Sequence, residues 1–474
     1  MLWFGQSLSW LSYIIAYLDK ISIIAFGDHY IPYATMQAKS FIPGKKYVIF
    51  RVTKYFSKEG SAIDDSNNMI KRNLAIMWFA NFFIAGSMTM VLPFISLYIQ
   101  EFGDFSDAYV QSWSGWIFGI TFVSAFIFSP IWGRFGDRFG RKKILMISAV
   151  GLGISIMLMG FATSVMQLFI LRLIMGVFTG FIPTSQAFIS TQTPKHIAGR
   201  VLGTLQTGSI TGTLMGPMLG GVLADLFSYS DTFKWTSFTV FLSAAIVTIG
   251  IRELKKTPED DEVSKVYSSK EVIKHITGHP VLLIVMIVSV LVQVAHFSVQ
   301  PILSLYVAEL HGPESIAFFS GIAFSAAGLG NLLMTRKWGK LGDKVGYIKI
   351  LIILLFMAGI VYFPGGFVTS IWQLVILRFL LGVSIGGIIP VRVAYIRQEA
   401  PLAMQGEVLG YNTSLRFLGN VIGPALGGML SGFFGISSVF FVTSALLILA
   451  GIIMLHAWYK HEYAGHKSMS KVRT

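Results

Sequence analysis

The sequence predicts an all-α membrane protein, with twelve transmembrane helices in two six-helix pseudo-symmetric bundles. Three observations carry that prediction. Hydrophobic residues make up 54% of the 474 and charged residues only 13%, where a soluble globular chain carries about 25% charged residues. The apolar residues gather into about twelve runs of spanning length. The second half of the chain then repeats the first, motif by motif.

In chain order the runs predict spans at 73–98, 113–133, 144–163, 166–190, 200–224 and 233–251, then at 280–308, 316–335, 348–364, 370–396, 404–431 and 434–458. A helix rises about 1.5 Å per residue and the hydrocarbon core is about 30 Å thick, so each crossing needs about 20 apolar residues. The first bundle is placed at 69–251 and the second at 280–460. A linker at 252–279 joins them, polar and mixed in charge around Pro258-Glu-Asp-Asp-Glu262 and expected to be flexible. Residues 461–474 form a cytoplasmic tail. Residues 1–68 stand outside the repeat as an extension of open status. Their apolar run at 1–27 is interrupted by Asp19-Lys20 and fits a thirteenth span or an interfacial segment; it lacks the early basic region of a signal peptide. A start at Met69 would instead make Met69-Ile-Lys71-Arg72 a basic lead-in to the first span.

The formal net charge is +14, yet its placement argues against nucleic acid. Arg134, Arg138, Arg141, Lys142 and Lys143 follow the second span; Arg252, Lys255, Lys256, Lys265, Lys270 and Lys274 follow the sixth; Arg336, Lys337, Lys340 and Lys344 follow the eighth. The intervening loops are nearly free of Lys and Arg, and the first carries Glu101, Asp104 and Asp107. Basic loops stay in the cytoplasm, so both ends of the twelve-span core are expected there, in a multi-pass protein of the cell membrane. The chain has no cysteine, which excludes disulfides, thiolate catalysis and cysteine-held metals. No nucleophile–base set or metal-ligand cluster stands out, so no enzyme is expected.

The repeat is clearest in two glycine patterns. Gly203-x8-Gly212-x3-Gly216-Pro217-x2-Gly220-Gly221 recurs as Gly410-x8-Gly419-x3-Gly423-Pro424-x2-Gly427-Gly428. Pro93-x2-Ser96-Leu97-Tyr98-x2-Glu101 recurs as Pro301-x2-Ser304-Leu305-Tyr306-x2-Glu309, and Gln167-Leu168-x-Ile170-Leu171-Arg172 as Gln373-Leu374-x-Ile376-Leu377-Arg378. Six spans separate the copies, an even number, so the halves share one orientation about an axis along the membrane normal. Glycine lets helix backbones approach closely, and proline removes a donor and bends the helix. A duplicated Gly/Pro-interrupted helix suits a transporter whose halves rock against each other.

The loop after the second span reads Gly133-x3-Asp137-Arg138-x-Gly140-Arg141-Lys142-Lys143. Loop charge alone explains the arginines and lysines but not an aspartate at the membrane face between two glycines. A carboxylate there can accept from the N–H groups of a neighbouring helix N-terminus or pair with arginine. Such a latch forms in one conformation and breaks in the other. In its spacing the loop resembles the signature loop of the major facilitator superfamily. The second copy, Gly339-x3-Asp343-Lys344-x-Gly346, has Tyr347 where Arg141 stands, so its latch is expected to be weaker. The fifth-span pattern of Gly203, Gly212, Gly216, Pro217, Gly220 and Gly221 resembles the antiporter motif of proton-coupled drug exporters, and the chain as a whole is similar to the quinolone and multidrug efflux proteins of Gram-positive bacteria. The resemblance covers about residues 69–460. It implies a monomer in the lipid bilayer that exports small amphipathic substrates in exchange for protons, with no cofactor and no nucleic-acid partner. It implies a conformational latch of Gly133, Asp137, Arg138, Gly140, Arg141, Lys142 and Asp343. It also gives Arg172 a part in proton coupling, because Arg172 matches the buried arginine of the family's fourth span. The alternative is a metabolite or sugar transporter on the same fold, which would need more polar side chains within the spans than these offer.

No Asp or Glu lies in the interior of a predicted span, so the central carboxylate of many cation exporters is not carried over. The proton-coupling candidates are Arg172, His296 and Asp137. His296 is the one histidine well inside a predicted span, and imidazole titrates in the physiological range, although a hydrogen-bonded interior histidine is the plainer reading. A structural role on backbone carbonyls is the alternative for Arg172 and stands level with the functional one for Arg378. Arg416 lies near the middle of its span, where an arginine costs roughly 2.5–3.5 kcal/mol on insertion scales. That cost favours a wet cavity, in which Arg416 would suit a carboxylate-bearing drug. Substrate contacts are expected from Asn81, Gln206, Phe297 and Arg416, on a surface of Phe and Met that adapts to flat ligands. A chain beginning at Met69 is expected to keep full dye efflux in cells; an inactive truncation would make residues 1–68 part of the working fold.

Overall fold

The computed structural model describes residues 69–193, 198–251, 269–312, 314–401 and 404–472. The extension 1–68 and the linker as far as 268 lie outside the described residues. Among those described there is no strand, as lipid demands: each crossing must satisfy its own backbone hydrogen bonds. The first bundle consists of α1 (Met69–Gln100), α2 (Asp107–Phe139), α3 (Arg141–Met159), α4 (Val165–Gln192), α5 (Ala198–Leu226) and α6 (Tyr229–Gly250). The second consists of α7 (Pro280–His311), α8 (Ile316–Val345), α9 (Tyr347–Tyr362), α10 (Ile371–Glu399), α11 (Gln405–Phe434) and α12 (Ile436–Val472). Among the described residues, 11 helices are apolar and long enough to cross a membrane on those grounds alone. The exception is α5, whose glycines, threonines and serine dilute its hydropathy.

The helices outrun the predicted spans at the basic loops. α2 continues to Phe139 and α8 to Val345, because hydropathy reports the lipid boundary, whereas a helix carries charged residues readily once in water. α12 likewise runs through the expected tail to Val472. A short helix, Ser269–Gly278, precedes α7 and buries Val272 and Ile276 on the second bundle's core.

The duplication holds in three dimensions. α1 and α7 each break into a 3-10 turn around their proline, Leu92–Phe94 with Pro93 and Gln300–Ile302 with Pro301, since proline offers no N–H to the helix. Beyond the breaks, Tyr98 donates to the Met159 carbonyl at 3.1 Å and Tyr306 to the Gly365 carbonyl at 2.9 Å. Trp132 Nε1 donates to the Val177 carbonyl and Trp338 Nε1 to the Val383 carbonyl. Gln167 and Gln373 accept from the backbone N–H of Thr163 and Thr369 at 2.8 and 2.9 Å. Gly140 and Gly346 end α2 and α8 with φ of +95° and +103°, which glycine adopts without a Cβ clash. Ser96 Oγ lies 2.8 Å from Ser304 Oγ. Equivalent residues of the two halves touch there, so the pseudo-two-fold axis passes between them.

Glycines decide how closely the helices pack. A Cβ on Gly212, Gly216 or Gly220 of α5 would strike the Phe82 carbonyl, the Thr89 hydroxyl or the Met90 carbonyl of α1. Gly419, Gly423 and Gly427 of α11 stand in the same way against Gln293, Val294 and Ser298 of α7. Spacing by four keeps each trio on one helix face. The next glycine turns toward the other bundle: Gly221 faces the Ala317 carbonyl of α8 and Gly428 the Gln111 carbonyl of α2. Further contacts between bundles join Gly115 to Pro424, Gly119 to Val421 and Gly321 to Pro217, and Ser325 Oγ donates to the Leu214 carbonyl at 2.8 Å. These contacts lie in the halves of α2, α5, α8 and α11 remote from the basic loops. Toward the basic ends of the same helices, a Cβ on Gly133, Gly203, Gly339 or Gly410 would meet nothing within 4 Å. Gly220→Ala and Gly427→Ala are expected to lower thermal stability in detergent, since overpacking costs about 1–3 kcal/mol. Gly203→Ala and Gly410→Ala should melt like the wild type, and equal losses at all four positions would contradict this packing.

Candidate functional site

Where the aromatic side chains of facing helices hold the backbones apart, a cavity of about 430 Å³ lies between the bundles. Drug-sized ligands occupy sites of about 300–1,000 Å³. Phe118 and Phe122 of α2, Phe297 of α7 and Phe417 of α11 supply most of its rings, with Met88 and Met175 beside them. Phe122 and Phe297 meet edge to face across the bundle boundary, with centroids 5.2 Å apart. Arg172, His296, Gln300 and several threonine hydroxyls are its polar points, and no Asp or Glu is among the described wall residues.

The structure thus brings Arg172, His296 and Phe297 to one wall. Arg172 is 3% exposed; its Nη1 donates to Met175 Sδ at 3.6 Å, and its guanidinium lies 5.8 Å from the Phe118 centroid. Its Nε and Nη2 are buried without a hydrogen-bond partner. His296 Nε2 sits 3.4 Å from Gln300 Nε2, and its Nδ1 has no partner. Asn81, Gln206 and Arg416 are not among the described wall residues. Asn81 is fully buried in the first bundle with its amide unbonded. Gln206 accepts from Gln186 Nε2 at 3.0 Å. Arg416 precedes Phe417, and it is Phe417 that enters the wall, because adjacent helical residues face about 100° apart. Arg378, the repeat counterpart of Arg172, donates Nε to the Ala323 carbonyl at 3.4 Å and is likewise not in the described wall.

One buried arginine escaped the sequence reading. Arg392 of α10 is fully buried, and its Nε, Nη1 and Nη2 have no partner. Its signal was present: an arginine two residues past Pro390, inside a predicted span, with Ser185 at the matching place after Pro183.

At the basic end the Asp137 side chain lies outside the described residues. Its neighbours tie the loop to the first bundle. Arg141 donates to the Ala187 carbonyl and, at 3.4 Å, to Thr191 Oγ1 on α4; Lys142 donates to the Ile251 carbonyl after α6 at 2.7 Å. In the second copy Tyr347, at the place of Arg141, donates its hydroxyl to Asp343 at 2.7 Å.

The opposite end is joined by a charge. α8 begins after Ser315, whose φ of +50° is left-handed and whose hydroxyl makes no capping bond. Asp225 at the end of α5 supplies the cap from the other bundle, accepting from Ala317 N–H at 3.3 Å and Phe318 N–H at 2.8 Å. The equivalent helix α2 is capped by its own Ser106. A carboxylate at a helix N-terminus is stabilising.

Residues 77–336 and 317–472 match the family model of the Major Facilitator Superfamily (MFS). The chain belongs to that superfamily. The uncharacterized MFS-type transporter YuxJ of Bacillus subtilis strain 168 is 54% identical over 379 residues, spanning 80% of this chain and 96% of the relative. The multidrug resistance protein MdtG of Salmonella typhi is 38% identical over 390 residues, 82% of this chain and 94% of the relative. Among solved structures, an inward-facing, occupied bacterial homologue of the human lysosomal transporter Spinster superposes with a TM-score of 0.69 at 15% identity, covering 81% of this chain and 96% of that one. A D-xylose–proton symporter gives 0.63 at 16% identity, over 81% and 97%. At such identities the likeness is one of fold, and it agrees with the twelve helices in two bundles described above. The superfamily reading of the signature loop stands, and the protein is a multi-pass membrane transporter of that superfamily.

In this MFS protein Asp225→Ala removes the carboxylate that caps α8. A helix cap is worth about 0.5–2 kcal/mol, so the end remote from the basic loops should open about two- to thirtyfold more often. Because the chain has no native cysteine, a single Ser304→Cys reporter beside the axis can measure this by its rate of maleimide labelling. Unchanged labelling would show that Asp225 does not hold that end closed.

Proposed function

We propose that the protein exports amphipathic drugs from the cell in exchange for protons by alternating access. The observation that carries this reading is the aromatic cavity between the bundles, with no carboxylate among its described wall residues, in a molecule whose close glycine contacts between bundles lie in the half remote from the basic loops. Placing the basic loops in the cytoplasm makes this an inward-open state, poised to take substrate from the cytoplasm or the inner leaflet. Rings and thioethers favour flat apolar bodies, whereas a mainly apolar wall would pair only part of a sugar's hydroxyls. The multidrug resistance proteins of Salmonella, similar over most of the chain, support the same reading.

In this cycle Asp137 and Arg141 form the latch that seals the cytoplasmic end when the opposite end opens. The glycines around Gly216 and Pro217 keep α5 seated on α1 while the halves rock. Arg172 and His296, both in the cavity wall, are the groups placed to sense proton and substrate together.

Cells expressing the protein should extrude an amphipathic fluorescent dye, and a protonophore should abolish the extrusion. Efflux that persists without a proton gradient would overturn proton exchange. Asp137→Asn is expected to cut transport at least about tenfold at normal membrane abundance, with Arg141→Ala acting in the same direction and Lys142→Ala more weakly. Normal efflux by Asp137→Asn would remove the latch from the cycle.

A further inference from the structure

We propose that this cavity selects amphipathic molecules bearing a single anionic group, and that Arg172 is the residue that receives it. The inference rests on the reading of the cavity as the substrate site and goes further by naming the charge class.

Arg172 carries a permanent positive charge, and it meets only neutral partners here. Its Nη1 reaches a thioether sulfur, a weak acceptor, and its plane lies over the Phe118 ring. Nε and Nη2 are buried and unbonded, and Arg172 is among the residues lining the cavity, so a side-chain shift of the guanidinium would bring them to a ligand there. Buried donors without acceptors are unfavourable, and the described wall offers no carboxylate to pair with them. A carboxylate or sulfonate of the ligand can take both at once, because the guanidinium presents its donors as a planar fork.

The position of Arg172 is built rather than incidental. Thr121 Oγ1 donates to the Arg172 carbonyl at 3.2 Å and Ser124 Oγ to the Leu173 carbonyl at 2.7 Å. These bonds pin the α4 backbone to α2 where Gly176 allows close approach. The repeat sharpens the contrast. Arg378 spends a donor on the Ala323 carbonyl and stands outside the described wall, whereas Arg172 is a wall residue with two donors unbonded. The Phe122–Phe297 pair then offers a surface for an aromatic body. With one guanidinium in the described wall, one anion is the complement, and permanent dications are disfavoured.

The test is equilibrium binding to the purified full-length protein in phosphatidylcholine nanodiscs, whose uncharged surface does not sort the probes. The probes are 2-naphthoate, 2-naphthylmethylammonium and 2-naphthalenemethanol, one body with three charges. Naphthoate is expected to bind at least about tenfold more tightly than the ammonium, about 1.4 kcal/mol. Arg172→Gln should erase that preference and leave the alcohol unchanged, Arg172→Lys should retain part of it, and Phe297→Ala should weaken all three probes alike. Equal binding of acid and amine by the wild type overturns the charge selection even if no variant folds. Equal loss of all three probes in Arg172→Gln and Arg172→Lys would make Arg172 a brace and overturn its role. Binding of none of them by the wild type would instead fell the reading of the cavity as the substrate site.

Discussion

The close seating of α5 on α1 and of α11 on α7 is the constraint on which the rest of the architecture depends. Lipid gives helices no hydrophobic reason to associate, so association rests on van der Waals contact and hydrogen bonds, which need short interaxial distances. Three glycines at four-residue spacing supply that in each bundle, and any Cβ there would collide with a backbone carbonyl or a neighbouring side chain of α1 or α7. Once α5 and α11 are held so close, Gly221 and Gly428 reach α8 and α2 across the boundary. The bundles therefore meet through backbone at the end remote from the basic loops, while Gly133, Gly203, Gly339 and Gly410 toward the other end have no such neighbour. The cavity opens where Phe122, Phe297 and Phe417 replace glycine as the residues between helices.

Symmetry builds the scaffold, and departures from symmetry build the function. The Trp132 and Trp338 bonds, the Gln167 and Gln373 turns and the Gly140 and Gly346 corners are matched pairs. The residues with chemical options are the unmatched ones. His296 has Met88 as its counterpart, and both lie in the cavity wall. Arg141 has Tyr347, which occupies Asp343 within its own loop. Asp225 has Gly432 at the matching place, so one carboxylate caps α8 from across the boundary with no equivalent at α2. These differences set one half apart from the other, since a two-fold axis along the membrane normal already leaves the two faces of the membrane distinct.

The charged interior follows from the same economy of polar groups. Arg172, Arg378 and Arg392 are all buried within helices, and none is shown paired with a carboxylate. A buried cation persists only where acceptors or a wet cavity offset its desolvation. Arg378 uses a backbone carbonyl, and Arg172 stands at the cavity edge. Arg392 has no hydrogen-bond partner among the described residues.

The sequence by itself determined the fold and its family. Hydrophobic length sets where helices cross, loop charge separates the two ends, and an exact glycine repeat can only mean two copies of one unit. These signals are local or periodic, and lipid leaves helices no alternative. The wall of the cavity was legible only in part. Arg172, His296 and Phe297 could be named from their chemistry, while Asn81, Gln206 and Arg416 drew attention by the same criterion and the structure places them elsewhere. Composition shows that a polar residue is inside a span, but its azimuth, and whether a neighbouring helix covers it, depends on how the helices pack. The Asp225 cap lies further still from the sequence: its two ends are 92 and 93 residues apart in the chain, and the contact exists only because glycines bring α5 against α8. Which end of the molecule is closed was decided by that packing alone, since one sequence must serve both states of a transporter.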